Sequence, residues 1–329
     1  MLFFSEKSLT AWLNHLMLDR TVLAPVRGTN DLVYFQSITN SEAIFIKSQN
    51  AALSPKDWFF PRSETIMSFI TKDGKTQIIP ATMEKDAVIF GIRPCDARAI
   101  SLIDRPFLAE PVDALYQERR NRTALVGIAC VTVCQECFCT SMGSGPFDPG
   151  ALDIMLTPVD SGFAVQVVTD KGKKLLEKAI IQDRELTLPK PPEVKPVPSA
   201  GVTEAMRRVF NNVYWDRVAD RCIHCNICAF VCPCCYCFDV RDYKGKDRIE
   251  RVRSWESCES ALFTRAAGGH NPRPSKGARM RQRFAHKLLY FPEIFGELKC
   301  TGCGRCVRNC PVNIDIREII HDVQKLARE

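Results

Sequence analysis

Two cysteine runs constrain this chain more than any other feature of its sequence. Cys222, Cys225, Cys228 and Cys232 follow the spacing C-x2-C-x2-C-x3-C, with Pro233 next. Cys300, Cys303, Cys306 and Cys310 repeat it, with Pro311 next. In such a run three closely spaced thiolates wrap one face of an iron–sulfur cube, and the fourth ligates the neighbouring cube. The proline stops the chain from continuing along one helical path. The spacing therefore predicts two crossed [4Fe–4S] sites. Cys222, Cys225, Cys228 and Cys310 would hold the first, and Cys300, Cys303, Cys306 and Cys232 the second. Zinc is the competing ligand for C-x2-C units, but it favours isolated pairs over two copies of a triplet with a Cys-Pro follower. Two cubes in one fold imply electron transfer. Clusters used as structural staples, as in some nucleic-acid enzymes, are the alternative.

The remaining composition narrows the compartment. The 329 residues include seventeen cysteines, an odd number, and a reducing cytosol does not sustain a disulfide framework. The N-terminus lacks the basic and apolar regions of a secretory signal. No apolar run approaches the roughly 18 residues of a membrane helix. A soluble, cytoplasmic, metal-binding protein is expected.

Five prolines, at 189, 191, 192, 196 and 198, make residues 184–200 an extended linker. The expected organisation is α+β. Residues 1–183 form a mixed α/β domain. Residues 201–329 form a mostly helical, ferredoxin-like domain interrupted by a long basic insert at 238–299. In the first part, short apolar strands (TVLAPV, LVYFQSI, TQIIPA, AVIFGI, ALVGIA) alternate in places with helical stretches, which suggests a partly parallel sheet. DIMLTPVDSGFAVQVVT reads as a hairpin turning at Asp160, Ser161 and Gly162. In the second part, Met206, Phe210, Val213 and Val218 predict one helix running into Cys222. Asp315 is a candidate cap for a helix carrying Ile316, Ile319, Ile320, Val323 and Leu326.

A second cysteine group lies in the N-terminal part. Cys95 follows the strand AVIFGI and Cys130 follows ALVGIA. If these strands are parallel neighbours, both thiols sit at the carboxyl edge of the sheet, where such folds bind ligands. Cys134, Cys137 and Cys139 follow in the next loop. Four or more thiols converging from separate segments suit a third [4Fe–4S] cluster. A zinc site and ordinary buried thiols are the alternatives. Cys234, Cys235, Cys237 and Cys258 are left over, either as a further metal or cluster site or as packed thiols. His270 could join them, whereas His224, inside a cluster loop, is expected to have no ligand role.

Residues 241–287 hold thirteen Lys and Arg against five Asp and Glu, in a chain of net charge +7. No recognition motif accompanies them, so nucleic acid is not the expected partner. Cations that offset anionic thiolate clusters, or that dock partner subunits, explain them better.

The strings GIRPCDARAI, IAC, CFCTSMGSGP, WESC, GGHNPRP, RQRFAHKLLYFPE and CTGCGRCVRNCPVNIDI together resemble the iron–sulfur β subunits of soluble sulfhydrogenases and the anaerobic sulfite reductase A subunits. The resemblance spans nearly the whole chain. It implies Cys95, Cys130, Cys137 and Cys139 as ligands of the third cluster, with Cys134 as an alternate. It also implies cysteines at 235, 237 and 258, but not at 234. It further implies a hetero-oligomeric electron-transfer subunit of anaerobic metabolism without a catalytic centre of its own. Such a subunit relays single electrons between a flavin subunit, linked to NAD(P)H or ferredoxin, and a catalytic subunit of hydrogenase, sulfite reductase or heterodisulfide-reductase-linked type. A more distant likeness, to the flavin-carrying β subunits of deazaflavin-reducing hydrogenases, makes FAD in the N-terminal part the alternative reading.

Overall fold

The structure, a computed structural model, describes residues 1–46, 50–72, 75–81 and 85–329. Among the described residues twelve strands form two sheets. In chain order they are β1 (Leu2–Ser5), β2 (Thr21–Arg27), β3 (Val33–Ile38), β4 (Ser63–Lys72), β5 (Lys75–Pro80), β6 (Ala87–Ile92), β7 (Thr123–Ile128), β8 (Ile154–Val159), β9 (Gly162–Val167), β10 (Gln182–Asp183), β11 (Phe238–Lys244) and β12 (Arg248–Trp255). The larger sheet has the order β10-β1-β9-β8-β7-β6-β2-β3. At its centre β2, β6, β7 and β8 run parallel, and antiparallel pairs close both sides. Every residue of β6 and β7 is buried, which is why AVIFGI reads as a continuous apolar run rather than an alternating one.

Helices cover this sheet. In α1 (Glu6–Leu16), Leu9, Trp12, Leu13 and Leu16 face the core at helical spacing, and the Ser5 hydroxyl caps the first turn by accepting from Ser8 N. A single turn, α2 (Lys56–Phe59), precedes β4. Helices α3 (Pro94–Phe107) and α4 (Ala114–Arg122) connect β6 to β7, and α5 (Asp170–Leu175) follows β9. The predicted hairpin is β8–β9, with Ser161 at φ 70° in its turn.

The stretch 184–198 carries no regular element, but its C-terminal end is tied down. Val197 N donates to the Ser141 hydroxyl at 2.8 Å, and Ser199 Oγ donates to Ser141 O at 2.6 Å. Beyond it, the single helix expected before Cys222 is two, α6 (Val202–Arg208) and α7 (Tyr214–Asp220). The break leaves Val209 O as acceptor for the Trp215 indole at 3.0 Å, and Val213 is exposed rather than packed. Then come α8 (Ile227–Phe230), α9 (Lys276–Ala285), a π-helical segment His286–Tyr290, α10 (Phe291–Phe295), α11 (Arg305–Arg308) and α12 (Ile316–Leu326). Asp315 caps α12, accepting from Arg317 N.

The part after the linker is not helical throughout. Its insert opens with the β11–β12 hairpin, which pairs antiparallel with β4 to form a second sheet in the order β11-β12-β4-β5. Strands from before and after the linker thus share one hydrogen-bonded sheet. A second tie is buried: the Arg305 guanidinium in α11 grips the Asp96 carboxylate in α3, with Nη2–Oδ2 at 2.8 Å and both side chains fully buried. No helix among the described residues is long and apolar enough to cross a membrane.

Candidate metal centres

The two cysteine triplets fold into matching loops. Each C-x2-C turn places its second intervening residue, His224 (φ 52°) or Gly302 (φ 62°), in the left-handed region. The residue after the middle cysteine, Asn226 (φ 63°) or Gly304 (φ 74°), repeats that conformation and starts a one-turn helix, α8 or α11. Left-handed steps turn backbone amides inward, and those amides meet sulfur. His224 N donates to Cys222 Sγ at 3.3 Å, and Gly302 N to Cys300 Sγ at 3.5 Å. Ile314 N reaches Cys310 Sγ at 3.2 Å. Donors aimed at sulfur stabilise thiolates over thiols, so the donor set suits metal ligation.

The fourth cysteines cross over. Cys310 lines one cavity with Cys222, Cys225 and Cys228. Cys232 lines another with Cys300, Cys303 and Cys306, of about 320 Å³. Cys306 also faces the first cavity. Around the first, Cys225 is exposed and the exposed Ile223 and Phe230 flank it in sequence. His224 also lines it, beside the buried Glu259 carboxylate at 3.5 Å. Burial pushes the Glu259 carboxyl up, against the pull of Arg283 and Arg279.

The N-terminal cysteines form a third cavity of about 370 Å³. Strands β6 and β7 are parallel neighbours. They bring Cys95, at the start of α3, and Cys130 to the same edge. Cys134, Cys137 and Cys139 complete the lining, together with Cys303 from the second triplet. Cys303 therefore borders both the second and third cavities. The two loops meet at Gly302, whose carbonyl accepts from Phe138 N at 2.9 Å. All five N-terminal thiols are present, so the lining does not single out four. Cys134 differs from the others in its partner, since Arg308 Nη1 donates to its Sγ at 3.2 Å. Cys137 and Cys134 are hydrogen-bonded to each other, and this contact holds the Cys134 thiol down at about 6.

The leftover thiols also gather. Cys234 lines the second cavity and is hydrogen-bonded, like Cys235, to Cys232. Cys237 enters β11 and Cys258 lies just past β12. The base of the hairpin, with Glu256 N donating to Cys237 O at 2.9 Å, brings their sulfurs into hydrogen-bond contact. His270 sits in an exposed loop. Among the described residues no three Cys, His, Asp or Glu side chains close on the spacing of a single metal ion; the thiols instead line cavities.

Buried cations surround the thiols, and most were not foreseen. Lys287 Nζ donates to Cys232 Sγ at 3.2 Å. Burial works against its charge, but Cys232, Cys235 and Cys234 outweigh it and hold the ammonium well above its ordinary range. Lys56, from α2, donates to the carbonyls of Cys232 at 3.1 Å and Cys235 at 2.8 Å. Lys299 lies 3.3 Å from the centre of the Tyr236 ring and 3.2 Å from His286 Nε2, and burial lowers it to about 8. Arg283 is buried with Nη1 lacking a hydrogen-bond partner. A signal for part of this set was present: Arg279, Arg283 and Lys287 are four residues apart, hence on one helical face. Nothing in the sequence around Lys56 points to the C-terminal thiols.

Residues 221–314 match the family model of the 4Fe-4S dicluster domain. The eight cysteines that line these two cavities in the crossed arrangement all lie within that matched segment. The chain is also 29% identical over 317 residues to Sulfhydrogenase 2 subunit beta of Pyrococcus furiosus, an alignment covering 92% of each chain. The resemblance read from the sequence is thus borne out. No solved structure matches the chain.

Proposed function

We propose that this chain is the electron-relay subunit of a cytoplasmic, hetero-oligomeric oxidoreductase complex of hydrogenase type. Cys222, Cys225, Cys228 and Cys310 hold a first [4Fe–4S] cluster. Cys232, Cys300, Cys303 and Cys306 hold a second. Cys95, Cys130, Cys137 and Cys139 hold a third, with Cys134 hydrogen-bonded beside them. A cube at each position supplies a site that takes up and releases one electron at a time. A flavin subunit on one side and a catalytic redox subunit on the other are the partners this role requires.

The observation that carries the reading is continuity. Cys303 borders the third and second cavities, and Cys306 borders the second and first. Three sites in a row, each sharing a wall with the next, make a path through the whole chain. The first site lies at the exposed Cys225, where an electron can cross to a partner. The chain's own residues hold the path in shape and set its electrostatics, and none is assigned as acid, base or nucleophile. Buried cations beside the thiolates offset their charge.

Iron and acid-labile sulfide per chain, measured with EPR after anaerobic purification, test this. Three cubes require about twelve irons. About eight, with no change on replacing Cys95 by Ala, would remove the third site. Cys225→Ala should abolish the EPR signal of the first cluster, and an unchanged spectrum would overturn that assignment. Released flavin in stoichiometric amount would instead support a flavin-binding oxidoreductase subunit.

A further inference from the structure

Four buried cations lie close together around the second thiol cavity and the leftover cysteines: Lys56, Arg283, Lys287 and Lys299. Each is at most 4% exposed. Among the described residues none of the four forms an ion pair with a carboxylate. Glu259 and Asp57 act on Arg283 and Lys56 from beyond ion-pair distance, but buried charge without a close partner costs several kcal/mol per ion, and the nearer anions available are the thiolates. A [4Fe–4S] core with four thiolates carries about two negative charges. One such cluster in the second cavity does not balance four cations. Arg283, next to Cys228 and Cys306 as well, can be shared with the first site. The three lysines cannot, because their neighbouring sulfurs are Cys232, Cys234, Cys235 and Cys237.

The geometry supplies a second, independent pointer. Cys235 and Cys237, two residues apart, meet Cys258 from twenty-one residues further on at the base of the β11–β12 hairpin. Cys258 is hydrogen-bonded to Cys237 and lies beside Cys235. Cys234, 1% exposed, lines the second cavity and, like Cys235 and Cys237, lies near Lys299. Lys299 is driven into this group beside His286 and the rings of Tyr236 and Phe291, with no carboxylate ion pair among the described residues. Cys234 and Cys235 pack against Ala99, Leu102 and Phe291 as buried thiols do, but the group also draws in ammonium groups, which packing alone does not require.

We infer that Cys235, Cys237 and Cys258, with Cys234 as fourth thiol, hold a further iron–sulfur centre, to one side of the three-site path and adjacent to its second member. This rests on the same reading of converging thiols as iron–sulfur sites. It makes the second site a junction rather than a mid-point, so that electrons could leave the path at the hairpin face.

The test uses the full chain, purified anaerobically. Cys258→Ala and, separately, Cys237→Ser are each compared with the parent for iron, sulfide and zinc per chain, EPR and Mössbauer spectra, and thermal unfolding. The expected result is a loss of about four irons and of one spectral component, with the other components retained. Unchanged iron in both variants overturns the proposal. So does a loss of one zinc in place of iron, or a Cys237–Cys258 disulfide in the anaerobic parent. If neither variant folds, the parent and Cys95→Ala decide. About sixteen irons in the parent support the proposal. About twelve falling to eight in Cys95→Ala overturn it, and about twelve unchanged in Cys95→Ala support it while removing the third site. About eight in the parent, unchanged in Cys95→Ala, overturn it together with the third site.

Discussion

Single side chains set the electrostatics of these sites. Lys287 is the clearest case, because its ammonium donates directly to Cys232 Sγ. A cation beside a cluster favours the more negative, reduced state. Lys287→Met keeps most of the volume and removes the charge. At an effective dielectric constant of about 20 and a separation of about 8 Å, the lost interaction is about 2 kcal/mol. That is on the order of 90 mV for a one-electron couple. The potential of the second cluster should fall by that order, as read in an EPR-monitored redox titration, with iron content unchanged. Gly302 is the second case. Its φ of 62° disfavours a side chain, and a Cβ there would stand 2.5 Å from the backbone carbon of Phe138. Gly302→Ala should cost about 2–4 kcal/mol from left-handed strain and overpacking. It should also separate the loops of the second and third sites, seen as lowered thermal stability together with lowered iron content.

At the scale of elements, the hairpin β11–β12 holds the leftover thiols and joins the two parts of the chain. Its anchor is Arg253, 4% exposed, which donates from Nε to Glu64 of β4 at 3.0 Å and also pairs with Asp113 ahead of α4. Arg253→Ala removes the buried cation shared by Glu64 and Asp113 and leaves Glu64 with Arg119 alone. Breaking such a pair costs about 3–5 kcal/mol. Amide hydrogen exchange in β12 should rise first, and denaturant titration should show the loss. This element was not legible in the sequence, and the reason is physical. The segment Phe238–Trp255 is dense in charge, and β11 is a largely exposed edge, so it does not carry the apolar alternation that marks a half-buried strand. The central strands β6 and β7, buried on both sides, were legible as apolar runs. The crossed thiol spacing was equally plain, because ligation fixes position along the chain. The cations were visible only as an excess of charge. Their inward direction depends on tertiary packing, and Lys56 reaches the Cys235 carbonyl from 179 residues away.

For the whole molecule, the proposed relay requires that the parts of the chain before and after residues 184–200 keep a fixed separation between their sites. Short hops between centres tolerate little drift, so a flexible hinge between the second and third sites would defeat the path. The buried Asp96–Arg305 pair lies at that junction. Asp96 follows Cys95 directly, and Arg305 sits between Cys303 and Cys306. Arg305 Nε also donates to Ala51 O at 2.9 Å, so one guanidinium fixes three segments. Asp96→Ala would strand a fully buried cation and should cost about 3–5 kcal/mol. An apolar pair of similar volume, Asp96→Leu with Arg305→Met, should restore much of that stability, since replacing both charges is often neutral or better. Recovery of stability need not bring recovery of the path. The double variant removes the fork that sets the angle between α3 and α11. If the pair serves registration, electron transfer between the third and second clusters should stay slow in the rescued protein, as followed by rapid-freeze EPR after reduction at one end. If transfer recovers together with stability, the pair is a fastening only, and the separation is held by the Phe138–Gly302 contact instead.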